Sequence, residues 1–180
     1  LSDHAGGSIR LAMEDEPATY ISRDVSDIYS ANILSQVTEC LVSLNPKDLS
    51  IVPQIAKEWK ISPNGLTYEF SIRNDILFHP HPTFGSNRSR RLTTEDIQKT
   101  IELICTKGEN GSAGTAYSIV FEQYLKGAKS FCEKKSTSIS GLTIKEGKVT
   151  FEVLESDNFH ILIEKDDEEE NENCSGLNEI

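Results

Sequence analysis

Two histidines separated by a single residue are the first candidates for metal chemistry. His79 and His81 flank Pro80 in the stretch FHPHP. In an extended chain, residues i and i+2 point to the same side, so both imidazoles could reach one Ni²⁺, Cu²⁺ or Zn²⁺ ion. No further ligand stands nearby in the sequence. A plain loop stiffened by Pro80 and Pro82 is therefore the preferred interpretation, and no metal site is predicted.

A short basic patch follows, formed by Arg88, Arg90 and Arg91. Three charges could contact phosphate weakly, but the patch lacks the interleaved aromatic residues on which single-stranded bases stack. The formal net charge is −11, and residues 164–180 contain eight acidic residues and only one lysine. Negative charge of this kind repels phosphate. We therefore predict a solvated loop or a contact with an acidic partner, and no nucleic-acid partner.

The residues that usually carry catalysis are not arranged for it. The sequence contains no GxSxG, no HExxH and no phosphate-binding loop, and its carboxylates concentrate near the end of the chain, where no pocket could desolvate them. Four cysteines are widely spaced, without a CxxC pair or a neighbouring histidine, and are predicted to be isolated, mostly buried thiols whose pairing stays open. No enzyme and no cofactor are predicted. These cysteines are Cys40, Cys105, Cys132 and Cys174.

Alternating apolar residues predict two hairpins. Leu66–Ile72 places every second residue, all apolar, on one face, and Pro63-Asn64-Gly65 before it is typical of a turn, so this strand should pair with Lys57–Ile61. The second hairpin is SGLTIKEGKVTFEVLE, with its turn at Glu146-Gly147. A shorter strand is predicted at Ile9–Met13.

Three helices are expected between these strands. The first begins after the capping residue Ser26 and runs to Leu41. The second begins after Thr93, which stands three residues before Asp96 as in a capping box. The third covers residues 117–135, although Gly127 should weaken it by about 1 kcal/mol. Interleaved helices and strands predict an α/β or α+β fold with a mixed sheet, followed by a mobile acidic tail.

The order of these pieces carries a family resemblance. GGSIRLAMEDEPAT is followed by VTECLVSLNPKDLSIVPQIAKEWKISPNGLTYEFSIRNDILFH, then LTTEDIQKTIE, YLKGAKSF and SISGLTIKEGKVTFEVLESDNF. This series resembles the start of bacterial extracellular solute-binding proteins of family 5, the peptide- and nickel-binding components of ABC importers. The likeness extends from Gly6 to Phe159 and is most specific between Leu41 and Phe78.

The resemblance implies a fragment of a class II periplasmic-binding-protein-like lobe with an accessory hairpin subdomain. Residues 1–44 would form the first segment of lobe I, residues 45–156 the accessory subdomain, and residues 157–180 a return segment and acidic tail. Family members are several times longer and close a second lobe over the ligand, so this chain alone should not bind. The basic loop PHPTFGSNRSRR and the acidic tail depart from the family pattern.

The function implied is that of a substrate-binding component, which captures oligopeptides or a related small solute outside the cytoplasm. It would be a monomer in the periplasm or on the extracellular face, lipid-anchored in the full-length protein, and would deliver its ligand to a permease. The sequence contains neither a signal-peptide pattern nor a run of the roughly 20 apolar residues that a membrane span needs. Two interpretations remain open: the protein is cytosolic, or a leader has already been removed. The alternative is a ligand-sensing or interaction module of the same fold without a transport role.

The resemblance also implies a ligand-binding segment formed by Thr38, Glu39 and Cys40. The matching glutamate of the family lies at the mouth of the cleft, at the end of the first helix, within the polar network around a bound peptide. The alternative for Glu39 is a half-buried carboxylate paired with a lysine or arginine. Cys40 occupies a position that is usually glycine in the family, so its side chain would hinder close approach of a ligand.

Overall fold

Two antiparallel sheets and three α-helices make up the part of the chain that the computed structural model describes, which is residue 10 and residues 12–85, 88–108 and 111–155. The strands pair in the orders β1-β2 and β3-β4-β6-β5. The helices and strands are α1 (Ile28–Val37), β1 (Val42–Leu44), β2 (Ile51–Pro53), β3 (Ala56–Ile61), β4 (Thr67–Ile72), α2 (Thr94–Ile104), α3 (Ala128–Cys132), β5 (Leu142–Lys145) and β6 (Lys148–Glu152). A π-helical turn, Tyr117–Phe121, precedes α3.

The hairpin of β3 and β4 confirms the prediction from alternation. Gly65 adopts φ +67° in the turn, a conformation that glycine enters without steric cost. The Asn64 side chain lies 2.6 Å from the Ser62 hydroxyl and so braces the turn. Along β4, Tyr68 and Phe70 are almost fully buried, as the apolar face of an amphipathic strand should be.

The second hairpin, β5 with β6, is also confirmed. Glu146 and Gly147 both adopt positive φ, at 46° and 77°, which is the geometry of a tight two-residue turn. β6 then pairs with β4, so that Val149 lies opposite Phe70 in the centre of the sheet. The prediction of a mixed sheet is wrong for the described residues, because every strand pair there is antiparallel. Short connections permit only that direction for β1-β2, β3-β4 and β5-β6, whereas β4 and β6 pair antiparallel although they lie far apart in the sequence.

Helix α2 covers β5 and β6 and closes the core. Its predicted start is confirmed: the Thr93 amide donates to the Asp96 carboxylate at 2.8 Å, the reciprocal contact of a capping box. Ile97 and Ile101 are buried in the apolar cluster that includes the inner face of the sheet. Their spacing of four residues places them on one side of the helix.

Helix α1 is shorter than predicted. Its cap is Asp27 rather than Ser26, because the Asp27 carboxylate accepts hydrogen bonds from the Ser30 amide at 2.8 Å and the Ser30 hydroxyl at 2.5 Å. The helix ends at Val37, four residues before the predicted end. Val37 is 70% exposed, so it does not belong to an inward-facing stripe.

The single helix predicted over residues 117–135 is wrong, because the chain leaves the helical conformation in the middle. Leu125 instead forms an isolated β-bridge with Val153 at the end of the sheet. Gly127 adopts φ +83°, and a Cβ placed there would lie 2.4 Å from the Ser140 hydroxyl oxygen. The pairing with the sheet and the left-handed glycine therefore separate the π-helical turn from α3.

Several predictions fall outside the described residues. These include two residues of the strand Ile9–Met13, the whole segment 157–180, and Cys174. The structure describes Arg10, Ala12 and Met13 of this predicted strand, and these three residues form no strand. No helix within the described ranges has the length and apolar character that crossing a bilayer requires.

Candidate functional site

The segment Thr38–Cys40 leaves helix α1 as extended chain. The Thr38 amide and hydroxyl both donate to the Leu34 carbonyl, at 2.9 and 2.7 Å, and Thr38 itself has φ −118° and ψ 151°. A threonine hydroxyl that satisfies a carbonyl of the last helical turn provides a natural end for the helix. Glu39 therefore follows the helix rather than lying within its last turn, which corrects the predicted position.

Main-chain and amide hydrogen bonds fix this segment to the start of β3. The Cys40 amide donates to the Gln54 side-chain oxygen at 2.9 Å, and the Cys40 carbonyl accepts from the Ile55 amide at 3.1 Å. The next carbonyl, that of Leu41, accepts from the Ala56 amide at 2.9 Å. Both peptide groups of Cys40 are thus satisfied within the protein.

Arg73 connects the same region to the end of β4. Its amide donates to the Ile55 carbonyl at 3.0 Å, and its guanidinium donates to the Gln54 carbonyl at 3.2 Å. Two further guanidinium nitrogens contact the Asp75 carboxylate at 3.0 and 2.9 Å. This two-point contact raises the pKa of Arg73, an effect to which the negative charge of Glu39 also contributes.

The three residues implied by the resemblance form one short exposed stretch. Thr38, Glu39 and Cys40 are all exposed, and Cys40 carries a free thiol. No hydrogen bond within the described ranges engages the peptide groups of Glu39, in contrast to those of Cys40. The stretch therefore offers solvent one carboxylate, the peptide groups of Glu39 and a thiol. Such a set can bind ammonium and amide groups of a ligand.

Gln54 and Arg73 belong to this region, although sequence reasoning did not identify them. A signal for Arg73 was present: it follows the alternating strand directly and stands two residues before Asp75. Gln54 had no comparable signal, because its role depends on the place where β2 and β3 meet the segment Thr38–Cys40.

The histidine pair does not assemble a metal site in the described part of the chain. His81 Nδ1 accepts from the Thr83 amide at 3.2 Å and lies 2.7 Å from the Thr83 hydroxyl, so it caps the helical turn Pro82–Phe84. Within the described ranges no group of three or more His, Cys, Asp or Glu residues could hold a metal ion. These contacts favour the loop interpretation for His79 and His81.

The arginines of the basic patch take part in internal contacts. Arg90 stacks 4.7 Å from the Phe78 ring centroid and 5.2 Å from that of Phe84, and it contacts the Asp96 carboxylate at 2.6 and 2.8 Å. Hydrogen bonding to Arg90 is the main reason why the pKa of Asp96 falls to about 2. Arg91 donates to the Asn74 carbonyl. The patch thus stabilises its own loop.

Comparisons with known proteins agree with this architecture. No protein-family model matches the sequence. The chain is similar to the peptide transport periplasmic protein SapA of Salmonella typhimurium, with 29% identity over 72 residues, which are 40% of this chain and 13% of that protein. The chain thus spans a small part of the length of this relative.

Two solved structures share the fold. A periplasmic oligopeptide-binding protein, OppAIV of Borrelia burgdorferi, superposes with a TM-score of 0.63 at 22% identity, over 79% of this chain and 27% of that one. The substrate-binding domain of an oligopeptide ABC transporter from Bacillus anthracis gives a TM-score of 0.65 at 16% identity, over 84% and 27% of the two chains. The predicted fold, a partial lobe of the kind found in periplasmic binding proteins, is thus confirmed, and the sequence is similar over part of its length to a periplasmic peptide transport protein.

Proposed function

We propose that this chain forms part of the substrate-binding component of an ABC importer, which captures oligopeptides outside the cytoplasm. The observation that carries the proposal is the sequence similarity to a periplasmic peptide transport protein, in a chain with the fold of oligopeptide-binding proteins. We propose no catalytic role, because relatives of this kind are named for binding and transport.

In this proposal, Thr38, Glu39 and Cys40 contact the ligand. An extended peptide is held mainly through its main chain, so it needs exposed peptide groups and a few polar side chains. The Glu39 peptide groups and carboxylate meet this need, whereas the Cys40 peptide groups are bonded to Gln54 and Ile55. Water in the side-chain pockets would allow many peptide sequences to bind.

The organisation proposed for the chain has three parts, with residues 1–44 in lobe I, residues 45–156 as the accessory subdomain and residues 157–180 as a return segment and tail. The pairing of β1 with β2 crosses the first boundary and would attach the subdomain to the lobe. We further propose a periplasmic or extracellular monomer, lipid-anchored in its full length, that closes two lobes over its ligand and then docks on a permease.

The first test is the reading frame that encodes the chain. We expect a lipoprotein leader upstream and several hundred residues downstream. The protein encoded by that whole frame should bind tri- to pentapeptides with a dissociation constant in the micromolar range or below, measured by isothermal titration calorimetry. A folded full-length protein that releases no heat with any peptide pool, and is not stabilised thermally by one, would contradict the proposal.

The second test locates the site with the exposed thiol of Cys40. In the full-length protein, saturating peptide should slow alkylation of Cys40 by iodoacetamide by about tenfold or more. Cys105 and Cys132 are buried and serve as internal controls whose labelling should stay slow with or without peptide. Unchanged labelling of Cys40 in a peptide-bound protein would exclude this segment from the site.

The 180-residue chain alone should bind the same peptides negligibly, because it spans only 27% of the oligopeptide-binding structures with which it superposes. Calorimetric titration of the isolated chain checks this expectation. Micromolar affinity would show that the contacts of a second lobe are not required.

A further inference from the structure

Arg73 lies one layer of hydrogen bonds behind the segment Thr38–Cys40. Between the two stand Gln54 and Ile55, which form the bend that joins β2 to β3. The hydrogen bonds that Arg73 donates within the described ranges go to Gln54, Ile55 and Asp75. Arg73 is not among the residues proposed to contact a ligand, so the proposed function leaves it without a role.

The bend connects Arg73 to Cys40 through both of its residues. On one side, the Gln54 side-chain oxygen accepts from the Cys40 amide at 2.9 Å, and the Ile55 amide donates to the Cys40 carbonyl at 3.1 Å. On the other side, the Gln54 carbonyl accepts from the Arg73 guanidinium at 3.2 Å, and the Ile55 carbonyl accepts from the Arg73 amide at 3.0 Å. Each residue of the bend is therefore bonded once to Cys40 and once to Arg73.

Asp75 fixes the direction in which the Arg73 guanidinium points. Nε and one terminal nitrogen donate to the two Asp75 carboxylate oxygens at 3.0 and 2.9 Å, so that the other terminal nitrogen reaches the Gln54 carbonyl. The planar guanidinium can serve both partners at once, whereas a lysine ammonium is a compact charge on a flexible stem and offers no such fork.

The ion pair itself adds little to the stability of the fold. The Arg73 and Asp75 side chains are 45% and 63% exposed, and exposed pairs of this kind contribute weakly because water screens them. The orientation of the bend is therefore a better explanation for Arg73 than the stability of the whole protein.

The order of the segment before a ligand arrives affects how tightly the ligand binds. A binding segment that is already ordered loses less conformational freedom on association, and affinity rises accordingly. Both peptide groups of Cys40 are anchored to the bend. A looser bend would therefore let the adjacent Glu39 carboxylate and peptide groups sample more arrangements in the unbound protein.

We propose that Arg73 is a positioning residue for peptide binding, which orders the segment Thr38–Cys40 through Gln54 and Ile55 and does not touch the peptide. The proposal rests on the proposed function, since it assumes that Thr38–Cys40 contacts the ligand. It adds a residue that determines affinity from behind the site.

The test compares the full-length wild-type protein with Arg73→Met, which keeps an extended side chain and removes the guanidinium. Calorimetric titration uses the tri- to pentapeptide that binds the wild type most tightly. The dissociation constant should be about fivefold higher for Arg73→Met. The melting temperature without ligand should change by less than about 3 °C. Hydrogen exchange at the Cys40 and Ile55 amides, also without ligand, should become about threefold faster.

An amidated form of the same peptide distinguishes positioning from direct contact. If Arg73 bound the peptide carboxylate, the amidated peptide would lose no affinity in Arg73→Met. Positioning predicts the same fivefold loss for the free and the amidated peptide. A loss confined to the peptide with a free carboxylate would overturn the proposal.

Arg90→Met is the matched control. Arg90 also makes a two-point contact, with the Asp96 carboxylate, and also donates to a main-chain carbonyl, that of Arg91. Its removal should lower the melting temperature at least as much as Arg73→Met does, and it should leave peptide affinity and exchange at Cys40 unchanged. An equal loss of affinity in both variants would show a general effect of stability and would overturn the proposal.

Arg73→Lys separates the fork from the charge. It keeps the positive charge but cannot serve the Asp75 carboxylate and the Gln54 carbonyl together, so it should still bind about threefold more weakly than the wild type. Full affinity in Arg73→Lys would overturn the proposed role of the fork. Wild-type affinity and wild-type exchange at Cys40 in Arg73→Met would overturn the proposal as a whole.

This experiment and the proposed function can fail separately. If the full-length wild type binds no peptide, the proposed function fails and the effect on affinity fails with it, whereas the exchange measurement still decides whether Arg73 orders the segment. If the wild type binds peptide and Arg73→Met matches it in affinity and exchange, the positioning role fails alone.

Discussion

The four-stranded sheet and the segment Thr38–Cys40 are stabilised by different forces. In the sheet, Tyr68, Phe70 and Val149 are almost fully removed from water, so apolar burial dominates. The exposed segment is instead held by a few hydrogen bonds, chiefly the one that the Gln54 side chain accepts and the one that the Ile55 amide donates, each contributing about 1 kcal/mol. Changes in the sheet should therefore unfold the protein, whereas changes around the segment should alter its local order and leave the fold in place.

The largest effect is expected for Phe70→Ala. Phe70 is 2% exposed and meets Phe151 edge-on with ring centroids 5.8 Å apart, so its removal leaves a cavity in the centre of the sheet. The free energy of unfolding should fall by about 3–5 kcal/mol, measured by urea denaturation. The matched change in the exposed segment, Cys40→Ala, should alter it by less than about 0.5 kcal/mol. Similar losses for both variants would remove the distinction between the two regions.

The next effect is expected for Gly127→Ala, where the chain leaves the helix to pair with the sheet. Alanine must adopt φ +83° there, and its Cβ would lie 2.4 Å from the Ser140 hydroxyl oxygen. We expect the free energy of unfolding to fall by about 2–3 kcal/mol.

Gly85→Ala is the control for this change. Gly85 has a similar φ of +81°, but apart from its chain neighbours no atom of the described residues lies within 4 Å of the added Cβ. Gly85→Ala should lower the free energy of unfolding by about 1 kcal/mol, which is the cost of the backbone conformation alone. Equal losses at both positions would mean that the close approach to Ser140 contributes nothing.

The ion pair of Asp96 and Arg90 should make the free energy of unfolding depend on pH in the acid range. The pKa of Asp96 is lowered from 3.8 to about 2 in the folded state, so its contribution is present above about pH 4 and is lost as the pH falls towards 2. Asp96→Asn should lower the free energy of unfolding at pH 7 by about 1–2 kcal/mol, a figure reduced for the exposure of Arg90. Near pH 2 the unfolding free energies of the wild type and of Asp96→Asn should converge.

Denaturant titrations between pH 2 and 7 measure this convergence. Asp75→Asn is the comparison, because the Asp75 carboxylate is more exposed in its pair with Arg73 and should have a smaller effect. A constant difference between wild type and Asp96→Asn across the whole pH range would show that the carboxylate charge is not responsible.

The smallest effect on stability, and the most local one, is expected for Gln54→Ala. Loss of its hydrogen bond to the Cys40 amide should accelerate hydrogen exchange at Cys40 about fivefold, while the free energy of unfolding changes by less than about 1 kcal/mol. Gln36→Ala removes a side chain that donates a hydrogen bond to the Ser35 hydroxyl, and it should leave exchange at Cys40 unchanged. Unaltered exchange in Gln54→Ala would mean that the Ile55 contact alone holds the segment.

Patterns that act within a few residues were predicted well. Alternation in Leu66–Ile72, the turn at Glu146-Gly147 and the capping pair of Thr93 and Asp96 all appear as expected, because each depends on groups that are close in sequence. The two errors in helix length arise differently. Helix α1 ends early because Leu41 pairs with the start of β3, and the third helix breaks because Leu125 pairs with Val153.

The candidate site also contains residues that the sequence predicts and residues that only the structure reveals. Thr38, Glu39 and Cys40 were named from the order of sequence blocks, and their role in binding stays a prediction. Their support by Gln54 and Arg73 could not be read from the sequence, since it joins residues 14 and 19 positions apart. It depends on how β2, β3 and β4 come together.

By itself, the sequence determined the strands of the two hairpins β3-β4 and β5-β6, where these hairpins turn and which face of β4 is apolar, because side-chain period and turn chemistry are local properties. It did not predict β1 and β2. Only the tertiary structure decided where helices stop, which arginines are used internally and what fixes the segment Thr38–Cys40. Those outcomes depend on hydrogen bonds between distant parts of the chain, which compete with local preferences and prevail when packing brings their partners together.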